Sequence, residues 1–405
     1  MRSWVVLPLL AGCATSAPPA RPKPADEPLP PLAVLANSDL QTDSALSCSD
    51  AWALWERYAD AFVEQGRVID RTDNARSTSE GQSYGLFFAL VANDRERFDA
   101  ILEWTIENLA GGNLARNLPA WLWGRDRKGR WRILDPNAAS DADLWIAYSL
   151  LEGGRLWSEP RYVELGRAVL DNAVAEEVRV LPGLGPVLLP APVGFEIEEG
   201  RQWRLNPSYL PMFQLRRFEQ EPGAADWGAI AESTMRMMQS IAPRGYAPDW
   251  VLYDVDRGFG VDPDHGARAS YDAIRVYLWA GLTSKDDPNQ TTLTNLLYGP
   301  HAHFIAEHRV EEVVDFRQPT IYSREGPPGF FASLIPGAMS RGDSAELDAL
   351  QQRLQQFRRD GLYGNPPAYY DQNLVLFANG FSEGRYRFAA DGTLQPKWSS
   401  RECSL

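Results

Sequence analysis

Ala139-Ser140-Asp141-Ala142-Asp143-Leu144-Trp145-Ile146-Ala147 heads a segment, 143–157, in which apolar residues recur at helical spacing. Its acids allow two readings. Ser140 can cap the helix with Asp143 at the third helical position, leaving Asp141 in a first turn whose dipole favours a carboxylate. Alternatively, two acids within three residues and beside Trp145 line a polar cleft. Outward from this stretch the helical pattern recurs over 51–63, 82–92, 95–109, 162–175, 227–241, 271–282, 345–359 and 368–377, split by Gly/Pro loops. Strand-like alternation is best at 131–134 and 185–189. No fixed repeat and no charged heptad is present, which excludes solenoids and coiled coils. Residues 48–405 therefore read as one α-rich domain, too long for a simple bundle. Helix pairs closing into a toroid would accommodate it.

The composition narrows the partners. Forty Lys and Arg stand against 54 Asp and Glu in 405 residues, a formal net charge of −14. That balance argues against a nucleic-acid footprint or a basic membrane-surface patch. Fourteen Trp, 15 Tyr and 16 Phe are rich for this length. No apolar run reaches the roughly 18 residues of a membrane span.

The N-terminus reads as a targeting segment. Arg2, the short apolar run 4–10, Ala11 and Gly12 follow the charged, apolar, small-residue order of a secretory signal. Leu10-Ala11-Gly12-Cys13 resembles a bacterial lipobox, in which the Cys is lipidated; the other reading is a plain signal peptide with an incidental Cys. Residues 1–12 are thus expected to be the signal peptide, and 13–47, punctuated by seven prolines from Pro18 to Pro31, an extended tether. With Cys13 lipidated, Cys48 and Cys403 remain as an even pair in an oxidising compartment, where a disulfide would staple the ends of the domain. Two separate thiols are the alternative.

Besides 139–147, two segments carry acids in a suggestive setting. Ser77-Thr78-Ser79-Glu80-Gly81-Gln82-Ser83-Tyr84-Gly85 fits a capping box of Ser77 and Glu80, yet Gly81 and Gly85 leave room for a ligand near Glu80. In Ser270-Tyr271-Asp272-Ala273-Ile274-Arg275, Asp272 and Arg275 lie three apart on one helix face. That spacing suits a structural ion pair, and also an Asp held ionised as a general base. Trp and Tyr sit in Pro/Gly loops at 119–124, 206–211 and 248–250. Aromatic faces with carboxylates beside them suit a sugar ring; ordinary packing is the alternative. His301, His303 and His308 lack any paired Cys or HExxH spacing, so no metal is expected. No GxSxG elbow, P-loop or strand-borne GxGxxG occurs.

These segments resemble glycoside hydrolase family 8, in particular the periplasmic endo-1,4-β-glucanases that accompany bacterial cellulose synthase. The signature around the central acids is matched by 139–143, Ile146, Ala147 and Trp157, with Gly153 where the pattern usually has Ala. The segments 79–85, 118–124, 206–211 and 271–275 match as well, in order, over about 48–400. The resemblance implies an all-α (α/α)6 barrel with a few short strands in loops, and endo-acting hydrolysis of β-1,4-glucan without a cofactor. It implies Glu80 as general acid and Asp272 as the base that activates water. Asp141 matches the signature Asp, often described as a nucleophile. Because the family inverts, Asp141 is better suited to hold the distorted sugar. Arg275, Tyr209, Trp121 and Trp123 are implied substrate contacts. The same likeness points to a periplasmic protein, lipid-anchored to the outer membrane, with a cellulose chain and the cellulose synthase/export complex as partners. Family members also include chitosanases and xylanases. A different class of reading is an inactive cellulose-binding component of the secretion complex.

Overall fold

The computed structural model describes residues 51–223, 225–318 and 324–400, all within one compact unit, Ser47–Leu405. Cys13, Cys48 and Cys403, with the signal and tether segments, lie outside the described residues. Among the described residues thirteen α-helices follow one another: α1 Ala53–Phe62, α2 Ser79–Val91, α3 Arg95–Asn108, α4 Ser140–Leu156, α5 Pro160–Glu177, α6 Met212–Phe218, α7 Trp227–Ile241, α8 Ala273–Leu282, α9 Gln290–Leu296, α10 Gly299–Glu307, α11 Pro328–Arg341, α12 Ser344–Gln355 and α13 Tyr369–Ser382.

Burial sorts them into two populations. Helix α2 is buried at every position except Glu80, and α8 at all ten. Helices α4, α6, α11 and α13 are likewise covered on nearly every side. A helix that is apolar all round must sit inside. By contrast α1, α3, α5, α7 and α12 bury one stripe; α3, for example, buries Phe98, Ile101, Leu102 and Thr105. The inner helices pack in sequence, α2 on α4, α4 on α6, α8 on α11 and α11 on α13, and α13 returns to α2. A 3-10 turn, Pro207–Tyr209, packs against both α4 and α8 and bridges that part of the ring. The outer helices α3, α5, α7, α9 and α12 each pack on an inner neighbour, and α1 packs on α13. This is the closed (α/α)6 barrel expected.

The ring is filled along its axis. Trp145 of α4, 1% exposed, meets Tyr84 and Phe87 of α2 at 5.8 and 4.9 Å, Phe213 of α6 at 5.8 Å, Trp279 of α8 at 5.5 Å and Phe377 of α13 at 5.1 Å. Five of the six inner helices thus meet on one indole. Where α8 crosses α11, backbones touch: a Cβ on Gly281 would lie 2.3 Å from the Gly337 nitrogen. Only glycine fits that approach.

Short strands trim the rim in seven antiparallel sheets among the described residues. Two position the site. One joins Ser77–Thr78, Leu122–Arg125 and Trp131–Asp135. The other has four strands, Gly258–Val261, Val251–Asp254, Gln202–Leu205 and Glu196–Glu198, and pairs Val251 with Leu205, so that 206–209 and 248–250 emerge at the same end. The helices expected at 227–241 and 95–109 match within a residue. Residues 358–359 belong to a strand rather than to the preceding helix, which ends at Gln355. Helix α11 has no counterpart in the sequence reading because Pro328, Gly329, Pro336 and Gly337 punctuate it. Pro328 sits in the first turn, where a missing N–H costs little.

Candidate active site

Three inner helices begin at the same mouth of the barrel, and each carries a polar group in or beside its first turn with an aromatic four residues on: Glu80 and Tyr84, Asp141 and Trp145, Arg275 and Trp279. Residues four apart lie one above the other on a helix. The polar groups therefore face the mouth while the aromatics form the floor beneath.

Glu80 is the second residue of α2. The cap is Thr78, whose hydroxyl accepts from the Gly81 N–H at 3.1 Å; of the two readings the sequence allows, the Ser77–Glu80 capping box does not form. Ser77 instead donates to the Val68 carbonyl at 2.5 Å and accepts from Arg67. The Ser79 N–H, donating to the Trp121 carbonyl at 3.1 Å, ties the helix start to the neighbouring sheet. Ser140 does not cap α4 either: Ala139 holds that position without a side-chain bond. Asp143, expected at the third helical position, is the fourth residue and is fully buried. Burial raises both its carboxyl and the neighbouring Glu177 carboxyl well above the usual range.

Arg275 gathers the acids. Its guanidinium, 3% exposed, donates to Glu80 Oε2, to Asp272 Oδ1 at 2.7 Å and to Ser208 Oγ at 2.8 Å, and lies 3.5 Å from Asp141 Oδ2. The Asp272–Arg275 ion pair expected from their spacing is present, as part of this larger knot. Glu80 and Asp272 retain 20% and 29% side-chain exposure, whereas Asp141 retains 5%. Burial pushes the Asp141 carboxyl up to about 7; Arg275 pulls it down, and the charges of Glu80 and Asp272 add to the rise. Tyr369 donates to Glu80 Oε1 at 3.0 Å, so both oxygens of Glu80 are held.

A cavity of about 800 Å³ contains all three acids, Arg275, Trp121 and Tyr209, and adds Tyr271, Tyr369 and Tyr370 to its walls. Tyr209 lies over Arg275 at 5.6 Å. Trp123, expected beside Trp121 as a substrate contact, does not line this cavity. It stacks on Trp131 at 4.8 Å and 10°, with Arg67 against both rings at 4.4 Å. A register irregularity between Leu122 and Trp123 accompanies this difference, and bulges re-aim side chains. The histidines diverge as well: His301 pairs with Glu346, and His303 lies 3.5 Å from Glu311. The sequence reading missed Tyr369 and Tyr370. Their only local signal is a Tyr pair directly after Pro366-Pro367-Ala368 at a helix start.

A half-buried pair of carboxylates bridged by one arginine, at the mouth of a helix ring and among aromatic walls, is the equipment of a hydrolase of glycosidic bonds. Similarity makes this particular. The family described as Glycosyl hydrolases family 8 matches residues 31–384. An endoglucanase from Xanthomonas axonopodis pv. citri (strain 306) is 46% identical over 355 residues, 87% of this chain and 91% of that protein. The endoglucanase of Escherichia coli (strain K12) is 42% identical over 356 residues, 87% and 93% of the two chains. The crystal structure of endo-1,4-D-glucanase from Vibrio fischeri ES114 aligns with a TM-score of 0.78 at 38% identity, covering 86% of this chain and 100% of that one. The chain belongs to glycosyl hydrolases family 8.

Proposed function

We propose that this glycoside hydrolase cleaves internal β-1,4 bonds of cellulose by an inverting displacement, with Glu80 as acid and Asp272 as base. The observation that carries this reading is the Arg275 knot, which holds Glu80, Asp141 and Asp272 in one aromatic-walled cavity. Glu80 protonates the departing glycosidic oxygen; Asp272, the more exposed acid, takes a proton from the water that attacks the opposite face of the sugar. Asp141, the deeper acid with Arg275 beside it, holds the distorted ring. Trp121 and Tyr209 supply faces for the flanking sugars. Its place is the periplasm, lipid-anchored through Cys13, where it trims glucan during cellulose synthesis and export.

The test is reducing-sugar release from carboxymethylcellulose, chitosan and xylan in parallel. Release from carboxymethylcellulose is expected, and Glu80→Gln should lower it by about 10²–10⁴-fold while the circular dichroism stays unchanged. Preference for chitosan or xylan would reassign the substrate, and binding without turnover would leave a cellulose-binding component. Proton NMR of the first product should show the α-anomer. A β-anomer would mean retention and would make Asp141 the leading nucleophile.

A further inference from the structure

Asp272 occupies the N-cap position of α8, yet its carboxylate makes no capping bond. A helix start must still satisfy its first N–H groups. Ile274 donates to the Ser270 carbonyl and Arg275 to that of Asp272, both at 3.1 Å. The remaining N–H, from Ala273, goes to a residue in a different loop: Asp249 Oδ1 accepts it at 2.9 Å and also accepts the Ser270 N–H at 2.7 Å. One buried oxygen thus grips the backbone on both sides of Asp272. Asp249 is itself anchored. Its N–H donates to the Arg268 carbonyl at 2.8 Å, and the Ala247 N–H donates to the Tyr277 hydroxyl at 3.0 Å.

We propose that Asp249 is a positioning residue for Asp272: by taking over the capping of α8 it fixes the turn that presents Asp272 and frees that carboxylate for water. This rests on the reading of Asp272 as base. Among the described residues Asp272 has a single side-chain partner, Arg275 Nη2, so the direction of its carboxylate follows the backbone turn that Asp249 holds. The groups facing Asp249 are Arg268, whose Nε is 3.5 Å away, Asp272, Tyr277 and Tyr370. Burial first, and then the charge of Asp272, pushes the Asp249 carboxyl up to about 7. Below that pH it is neutral, holds both N–H groups through one oxygen and adds no charge beside the base. Asparagine reproduces that state.

The test measures kcat and KM on cellopentaose for D249N, D249A and the double variant D249A/D272N. D249N should stay within about 3-fold of wild type, whereas D249A should lose about 30–100-fold in kcat with KM within about 2-fold, the size expected when a reacting group is misplaced by roughly 1 Å. In the D272N background, D249A should change the residual rate by less than about 3-fold, because residues acting through one another are not additive. Wild-type kcat in folded D249A, an equal loss in D249N, or losses that multiply in the double variant would overturn the proposal. Should D249A not fold, D249S takes its place against the same thresholds. Failure of the base assignment is read separately, as undiminished activity of D272N alone.

Discussion

Arg275 is a single buried cation among three carboxylates, and its removal has two separable consequences. Arg275→Ala leaves Glu80, Asp141 and Asp272 without their shared counter-charge. Breaking such a buried pair costs about 3–5 kcal/mol, so urea unfolding should shift by that much and activity should vanish. Arg275→Lys restores a positive charge but not the fork that reaches Glu80 and Asp272 together. Stability should largely return while activity does not. Asp371 gives a cleaner case of buried acid. Its carboxylate accepts the Gly329 N–H at 3.1 Å, and burial pushes it up to about 7. A carboxyl whose folded pKa lies above its unfolded value is protonated in the native state while the unfolded chain releases the proton. Its contribution therefore weakens as pH rises from about 4 to about 7, by up to about 1.4 kcal/mol per pH unit. Thermal melts of Asp371→Asn should fall less steeply than wild type between pH 5 and pH 7, windows set by that shift. Equal slopes would show that Asp371 does not titrate there.

Helices α2, α4 and α8, which supply the acids and Arg275, repeat one device, a polar residue at the mouth and an aromatic one turn below, and Trp145 is where those aromatics converge. Trp145→Ala should cost about 3–5 kcal/mol in denaturant unfolding, and Trp145→Phe less. Much of this was legible in the sequence, because a long helical segment announces itself by period and because the acids stood at helix starts. The choice between capping box and site stays open in the sequence, since a Ser, an acid and an apolar run satisfy the local pattern whether or not the acid turns inward; only the Arg275 knot decides that, and Arg275 lies 195 residues from Glu80. Helices α6 and α9, seven residues each, are too short for a period to show. Asp249 was visible only as part of an aromatic loop, because its partners are backbone N–H groups about twenty residues on. Trp123, which the family resemblance offered with Trp121, lies outside the cavity of the acids, beyond a register shift that no local pattern announces.

At the scale of the whole chain, the segments outside the barrel carry their own expectation. Cys13→Ser should move the protein from the membrane fraction to the soluble periplasm, and a wild-type protein found soluble and unacylated would leave only an ordinary signal peptide. The barrel itself sets how a polymer can be handled. With Trp145 and the rings around it filling the axis, the mouth has a floor and no bore. A glucan has no path through the barrel along that axis, so it has to bind across the mouth, where the three acids stand. The viscosity of carboxymethylcellulose should accordingly fall well before much reducing sugar is released, and a parallel course of the two would point to attack from chain ends.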